Sequence, residues 1–326
     1  MSGILLEGRS LVKHFPTGGN RVVHAVDEVS LELNRGEFLG LVGESGCGKS
    51  SLGRMLLRLI EPSAGKVFFA GKDLTACSQE ELRRLRRSMQ MIFQDPLGSF
   101  NPKIRIGNAL MEAARFHGMN KQEGTARIAE LLSYVSLPKE TLFRLPRELS
   151  GGQLQRLSIA RALISSPAFI VADEPVSALD ISVQAQLLNL LCELRERFEM
   201  AMLFISHDIM VVKYLCDRVA VMYLGVIVET APAAELFHNP LHHYTRALIA
   251  SAPKLEMDKI KSRELLEGDP AGAFDSLPGC RFAPRCKHCQ DRCRREKPPL
   301  VKTAEDHWAA CFDVPVDAAG YADKTG

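Results

Sequence analysis

Short apolar runs recur along this chain, and the intervals between several of them carry apolar residues at helical spacing. FLGLVG (38–43), MQMIFQ (89–94), FIVADE (169–174), MLFISHD (202–208) and RVAVMYLG (218–225) are almost continuously hydrophobic. Runs of this length and density predict strands covered on both faces. SSLGRMLLRLI (50–60), closed by Glu61-Pro62-Ser63, and GGQLQRLSIARALI (151–164), with Leu154, Leu157, Ala160 and Ile164 along one face, predict helices. Strands alternating with helices predict an α/β fold around a mainly parallel sheet. From about 97 to 165 strand signals cease, so a helical insertion between two sheet strands is expected there. Past MYLGVIVET the pattern changes. LFHNPLHHYTRALIASAP is amphipathic, KLEMDKIKSRELLEGDPAGAFDSLP reads as a polar linker, and GCRFAPRCKHCQDRC (279–293) is short, basic and rich in cysteine.

Composition changes this picture little. The 326 residues are 46% hydrophobic and 25% charged, with a formal net charge of +2. That balance points to a globular chain of one large or two smaller domains and names no charged partner. No apolar run is long enough to cross a bilayer, and MSGILLEGRSLVKHF lacks the pattern of a secretory signal. A cytoplasmic protein with reduced thiols is the expectation.

The candidate chemistry begins at GESGCGKSS (43–51), which fits G-x-x-x-x-G-K-[ST] between a predicted strand and a predicted helix. Gly43, Gly46 and Gly48 let the backbone turn its N–H groups onto phosphate oxygens at a helix N-terminus. Lys49 offers a cation to the β- and γ-phosphates, and the Ser50 hydroxyl is a Mg²⁺ ligand candidate. Glu44, Ser45, Cys47 and Ser51 complete the expected ATP-binding loop, with no redox role for Cys47. FIVADE ends in two carboxylates. Asp173 is placed to hold Mg²⁺, and Glu174 to orient and deprotonate an attacking water. In LSGGQ (Leu149, Ser150, Gly151, Gly152, Gln153), Ser150 is expected to cap the following helix and expose N–H groups at its positive end. That is a second anion site.

With these motifs the chain resembles the ATP-binding cassette (ABC) proteins over about residues 4–255. LSGGQ resembles their signature motif, Gln94 in FQDP their Q-loop, Asp180 in SALD their D-loop, and His207 in ISHD their switch histidine. The resemblance implies a P-loop NTPase fold with a helical subdomain at about 97–165 and an ATP-binding domain over 1–258. It implies Gln94 as a further Mg²⁺ ligand and Glu174, His207 and Gln94 as the catalytic set. It also implies a head-to-tail pair of cassettes, identical or not, with ATP between the 43–51 loop of one and the signature of the other. An aromatic platform for adenine is expected upstream, at Phe15, with His14 as runner-up.

GESGCGKSSLGR, IFQDPLGSFNP, DEPVSALDISVQAQLLNLL and NPLHHYTRALIASAP narrow the resemblance to the ATPases of dipeptide/oligopeptide (and nickel) importers, and to the second of their two paired ATPases. This narrower resemblance implies an ATPase on the cytoplasmic face of the cell membrane. Its partners would be a second ATPase, two transmembrane permeases and, indirectly, an extracytoplasmic peptide-binding protein. Residues 94–102 would face the permease. The alternatives are import of nickel or another small solute, or a soluble cassette working on nucleic acid or ribosomes. The absence of heptads and of a second motif set argues against the latter.

The last stretch, within 259–326, resembles the C-terminal extension of the same group. In a reducing compartment its cysteines predict metal ligands rather than disulfides. The spacing, with one C-x2-C and irregular flanks, fits an iron–sulfur cluster at least as well as zinc. The resemblance implies Cys280, Cys286, Cys293 and Cys311 as ligands of a [4Fe-4S] cluster. Zn²⁺ or another metal, with His307 as a candidate zinc ligand, and metal-free packing are the alternatives, and Cys289 stands outside the pattern.

Overall fold

The computed structural model describes residues 3–17, 21–177, 179–252 and 278–314. The expected linker and the expected boundary at 258 lie outside the described residues. The chain forms two compact units that interleave in sequence: one from 3–6, 33–38 and 69–205, the other from 7–32, 39–68 and 206–314.

In the first unit Met89–Ile92, Phe169–Asp173 and Ala201–Ser206 run parallel, with Met89 opposite Phe169 and Phe169 opposite Ala201. Phe169–Asp173 and Ala201–Ser206 are buried at every position, as their unbroken apolar runs predict. Each strand stops before the end of its run, with Phe93 and Gln94, Glu174, and His207 and Asp208 lying beyond it. Between Met89–Ile92 and Phe169–Asp173 there is no strand. The interval holds the helices Ile106–Phe116, Lys121–Tyr134 and Gly151–Leu163, with two short 3-10 turns. Ile106, Leu110 and Ala114 on the first and Ile128, Leu131 and Leu132 on the second are buried at three- and four-residue spacing. Asn120 and Glu123 close a capping box at the start of Lys121–Tyr134.

In the second unit Phe38–Val42 pairs in parallel with Arg218–Tyr223, Leu39 opposite Arg218. The sheet then turns antiparallel. Tyr223 faces Val226 across a two-residue hairpin, where Leu224 (φ 42°) and Gly225 (φ 88°) both take left-handed conformations, as such turns require. His307–Ala309 pairs with Val226–Pro232, and Val301–Ala304 pairs with His307–Ala309. The Cys-rich extension thus adds two strands to the edge of the sheet. Leu241, Val301, Ala309 and Val314 form a small core beneath them, with Cys311 packed against it. In a second sheet the long strand Ile4–Thr17 lies between Arg21–Asn34 and Ala64–Phe69.

The helix expected over 50–60 spans Lys49–Leu56 instead. Arg58 adopts φ 47°, and its N–H bonds to Met55 O while Leu59 N–H bonds to Arg54 O, a left-handed stop that ends the helix four residues early. No helix among the described residues is long and apolar enough to cross a membrane.

Candidate functional site

The phosphate loop leaves the buried strand Phe38–Val42 and enters the helix Lys49–Leu56 at Gly48. Gly48 has φ 104°, and a Cβ there would stand 1.9 Å from Ala25 O, so both conformation and space demand glycine. Lys49 is 4% exposed. Its ammonium donates to Gly43 O (2.7 Å) and Glu44 O (2.8 Å), folded back onto the loop it would leave for a phosphate. Cys47 is buried, and burial pushes its thiol pKa up. Glu44 is held from two directions that the sequence pattern does not reveal. Its N–H donates to Tyr244 Oη at 2.9 Å, and its carboxylate accepts from Arg285, 241 positions downstream.

At the end of Phe169–Asp173, Asp173 is 1% exposed. Glu174 follows in a left-handed conformation, φ 45°, its N–H bonded to Ile205 O at 3.0 Å. A non-glycine residue in that region is strained, which turns the carboxylate out of the strand direction. Gln94 Nε2 donates to Glu174 Oε2 at 3.2 Å. Two of the expected catalytic residues, 80 positions apart, therefore meet.

Ser150 caps the helix Gly151–Leu163 as expected: its Oγ accepts from Gln153 N–H at 3.3 Å. The motif goes further, because Gln153 Oε1 accepts from Ser150 N–H at 3.0 Å, completing a capping box. The final residue of LSGGQ is thus part of the cap, a role recoverable from the S-x-x-Q spacing. Leu149 precedes the cap in extended conformation. Gly152 lies so close to Val183 that a Cβ would meet Cγ1 at 2.6 Å. Asp180 is exposed at the start of Ile181–Phe198 without a side-chain cap bond, and the neighbouring Ile181 is 87% exposed. His207 is exposed just after Ala201–Ser206, ahead of a short helix capped by Asp208.

Of the two adenine candidates, Phe15 is partly exposed, with Lys13 Nζ 5.1 Å from its ring centre. His14 is paired with His24, Nε2 to Nδ1 at 3.0 Å.

The cysteines Cys280, Cys286, Cys293 and Cys311 line one small cavity, of about 20 Å³, while Cys289 does not line it. Burial, with the neighbouring Cys293, Cys311 and Cys286, pushes the Cys280 thiol up to about 11. Thiol donors suit a soft metal or an iron–sulfur cluster in chemistry, and these four line one cavity, but among the described residues they do not form a group whose ligand atoms all lie within 4.8 Å of one another. His307 does not belong to this set. It is buried and bonded through Nε2 to Glu229 Oε1 at 2.8 Å, and Glu229 also accepts from the N–H groups of Leu241 and His242. His243, His288 and Asp313 stand at the same cavity with ligand atoms within 4.8 Å of one another. The two imidazoles are stacked 11° from parallel at 4.2 Å. Ring-nitrogen lone pairs lie in the ring planes, and parallel planes do not converge on one ion, so this trio is a stack and not a formed coordination site.

The chain matches the family model described as ABC transporter over residues 26–177. It matches the model described as oligopeptide/dipeptide transporter, C-terminal region, over residues 228–293. It is 47% identical over 309 residues to a protein of Brucella ovis named for peptide import ATP binding, covering 94% of this chain and 97% of the relative. The oligopeptide transport ATP-binding protein AppF of Bacillus subtilis is 43% identical, covering 94% and 96%. Among solved structures, the ATP-binding cassette MJ0796, in a dimeric post-hydrolysis state bound to ADP and Pi, is similar with a TM-score of 0.65 and 27% identity, over 70% of this chain and 99% of that one. CbiO1 of Clostridium perfringens, part of the ABC transporter complex cbiONQ, is similar with a TM-score of 0.65 and 25% identity, over 72% and 91%. A phosphate loop, an acidic strand end and a capped signature helix in this order, with these matches, place the chain among the ATP-binding cassette ATPases of ABC transporters, in the group with the oligopeptide/dipeptide transporter C-terminal region.

Proposed function

We propose that this chain binds and hydrolyses ATP to power uptake of di- and oligopeptides across the cell membrane. The observation that carries the reading is the joint match in one chain: an ABC transporter core over 26–177 and an oligopeptide/dipeptide transporter C-terminal region over 228–293. Relatives at 43–47% identity and named for peptide import or oligopeptide transport support the same substrate class.

Phosphoryl transfer to water needs positioning and charge neutralisation more than covalent help. The 43–51 loop supplies N–H donors, and Lys49 moves from its carbonyl partners to the phosphates. Ser50, Gln94 and Asp173 would hold Mg²⁺, which neutralises phosphate charge when bound. Glu174 accepts the proton of the attacking water, and the Gln94 amide steadies that carboxylate. His207 orients the γ-phosphate, and Phe15 stacks on adenine. The capped helix Gly151–Leu163 offers its N-terminus to the nucleotide of a second cassette, with Asp180 and the exposed Ile181 beside the contact. The dimeric state of a similar cassette supports this arrangement. The partners are a second ATPase, identical or not, two permeases that meet residues 94–102, and indirectly an extracytoplasmic peptide-binding protein. The chain sits peripherally on the cytoplasmic face of the membrane and binds no nucleic acid. Cys280, Cys286, Cys293 and Cys311 would hold a [4Fe-4S] cluster, which would cross-link the extension when bound.

Purification of the chain from gently solubilised membranes tests the assignment. Co-purifying permeases, and peptide-stimulated ATP hydrolysis in the presence of the peptide-binding protein, are expected. Salt-sensitive RNA in place of permeases, or stimulation by nickel and not by peptides, would replace this reading.

A further inference from the structure

The phosphate loop contains an anion where an anion must bind. Glu44 follows Gly43 directly, and a free carboxylate there would repel the phosphates that the loop N–H groups attract. Its neighbours resolve the conflict from outside the loop. Arg285 Nη1 donates to both Glu44 carboxylate oxygens, at 3.0 and 2.8 Å, and to Tyr223 Oη at 3.3 Å. The arginine side chain is 7% exposed and the glutamate side chain 23%. Charge pairs withdrawn from water to this degree are screened far less than surface pairs.

Arg285 belongs to RFAPR (281–285), the segment between Cys280 and Cys286. Phe282 packs its ring against Tyr223 and Tyr244, with centroids 5.4 and 5.5 Å apart. Tyr244 is the residue whose hydroxyl receives the Glu44 N–H. Arg281 bonds to Leu224 O and forms an ion pair with Asp27 at 2.6 Å. Asp27 N–H donates to Gly225 O, and Gly225 N–H donates to Cys47 O. One pentapeptide of the extension thus reaches the loop at Glu44 directly and at Cys47 through a short chain of bonds.

We infer that Arg285 is a positioning residue for ATP binding: it neutralises Glu44 and pins the N-terminal end of the phosphate loop, so the extension holds the nucleotide site ready. This rests on the reading of 43–51 as the ATP loop. The binding affinity of the loop then depends on the extension being docked, and two substitutions separate charge from folding.

The test is titration of Mg-ATP into the full-length chain as wild type, Arg285→Ala and the double variant Arg285→Ala with Glu44→Gln, with KM and kcat measured alongside. Arg285→Ala is expected to weaken ATP binding about tenfold and raise KM in step, with kcat changed much less, because the loss is in ground-state binding. Removing the unpaired charge with Glu44→Gln is expected to recover most of that loss. A merely structural role predicts the reverse, a double variant no tighter than the single one. ATP binding by Arg285→Ala equal to wild type, or no recovery in the double variant, overturns the inference. Should Arg285→Ala fail to fold, Arg285→Gln, which keeps the first two methylenes and an amide donor but loses the charge, runs the same comparison with the same two overturning outcomes. A wild-type chain that binds no ATP would sink the reading of the loop itself, a result distinct from these.

Discussion

At the scale of single residues, the most informative group is Glu174. It follows the last strand residue with φ 45°, a conformation disfavoured for a glutamate, and accepts a hydrogen bond from Gln94 at 3.2 Å. Backbone strain of this kind persists where surrounding structure over-determines it. A base that removes a proton from water in the transition state contributes on the order of 10²–10⁴ in rate. Glu174→Gln keeps the shape and loses the basicity. Its ATPase turnover is expected to fall by about that factor while ATP affinity is retained, measured by steady-state hydrolysis and equilibrium binding. Hydrolysis at the wild-type rate would remove Glu174 from the role. The pair DE at the end of FIVADE and the G-x-x-x-x-G-K-S pattern stand in consecutive residues, so sequence alone proposes them. Arg285 was not legible there, because no local pattern ties an arginine in a basic tail to a glutamate 241 positions earlier.

At the scale of elements, local signals succeeded where the element carries its own stop and start. S-x-x-Q opens Gly151–Leu163 through a capping box, and continuous apolar runs mark the buried strands. They failed where an end depends on an unusual backbone angle, as at Arg58, or on partner strands, as in Ile4–Thr17. The helix His243–Ser251 shows a cap with a pH consequence. Buried His242 accepts the Tyr244 N–H through Nδ1 at 3.0 Å, and burial lowers its pKa to about 4. An unfolded histidine titrates near 6.5. Between those values the unfolded chain binds a proton that the folded chain refuses. Stability from this group is therefore fully present above about pH 6.5 and is lost as pH falls through the folded value near 4. The loss approaches about 3 kcal/mol across the window. Asparagine caps without titrating, so His242→Asn is expected to flatten that part of the acid branch, measured as denaturation midpoints at pH 7 and pH 5. Equal acid sensitivity in variant and wild type would exclude His242 as its source.

At the scale of the whole molecule, the Cys-rich extension is built into the sheet of its own unit. His307–Ala309 pairs with Val226–Pro232, and the buried His307–Glu229 bond joins the two segments at 2.8 Å. The cavity lined by Cys280, Cys286, Cys293 and Cys311 lies in the same unit. Anaerobic purification is expected to yield iron and sulfide in equal amounts with no stoichiometric zinc, and Cys293→Ser is expected to lose both while Cys289→Ser retains them. Stoichiometric zinc without iron would make this a zinc site, and loss of metal in Cys289→Ser alone would overturn the ligand set. Cys289 could not be separated from the other cysteines by spacing alone. Its exclusion came from the resemblance, and in the structure it stands outside the cavity lining.

By itself the sequence carried the motifs that propose ATPase chemistry: a loop whose glycines free backbone N–H groups, a lysine and serine after it, and two acids ending a buried strand are local arrangements, written in consecutive residues. It also determined the helical interval between two strands, because periodicity is a local property. Tertiary structure alone decided what depends on distance along the chain. It brought Gln94 to Glu174, assigned His307 to Glu229 instead of to the cysteines, and set Arg285 against the one carboxylate inside the phosphate loop. Those pairings arise from strand register and the docking of the extension, and neither is encoded in the spacing of neighbouring residues.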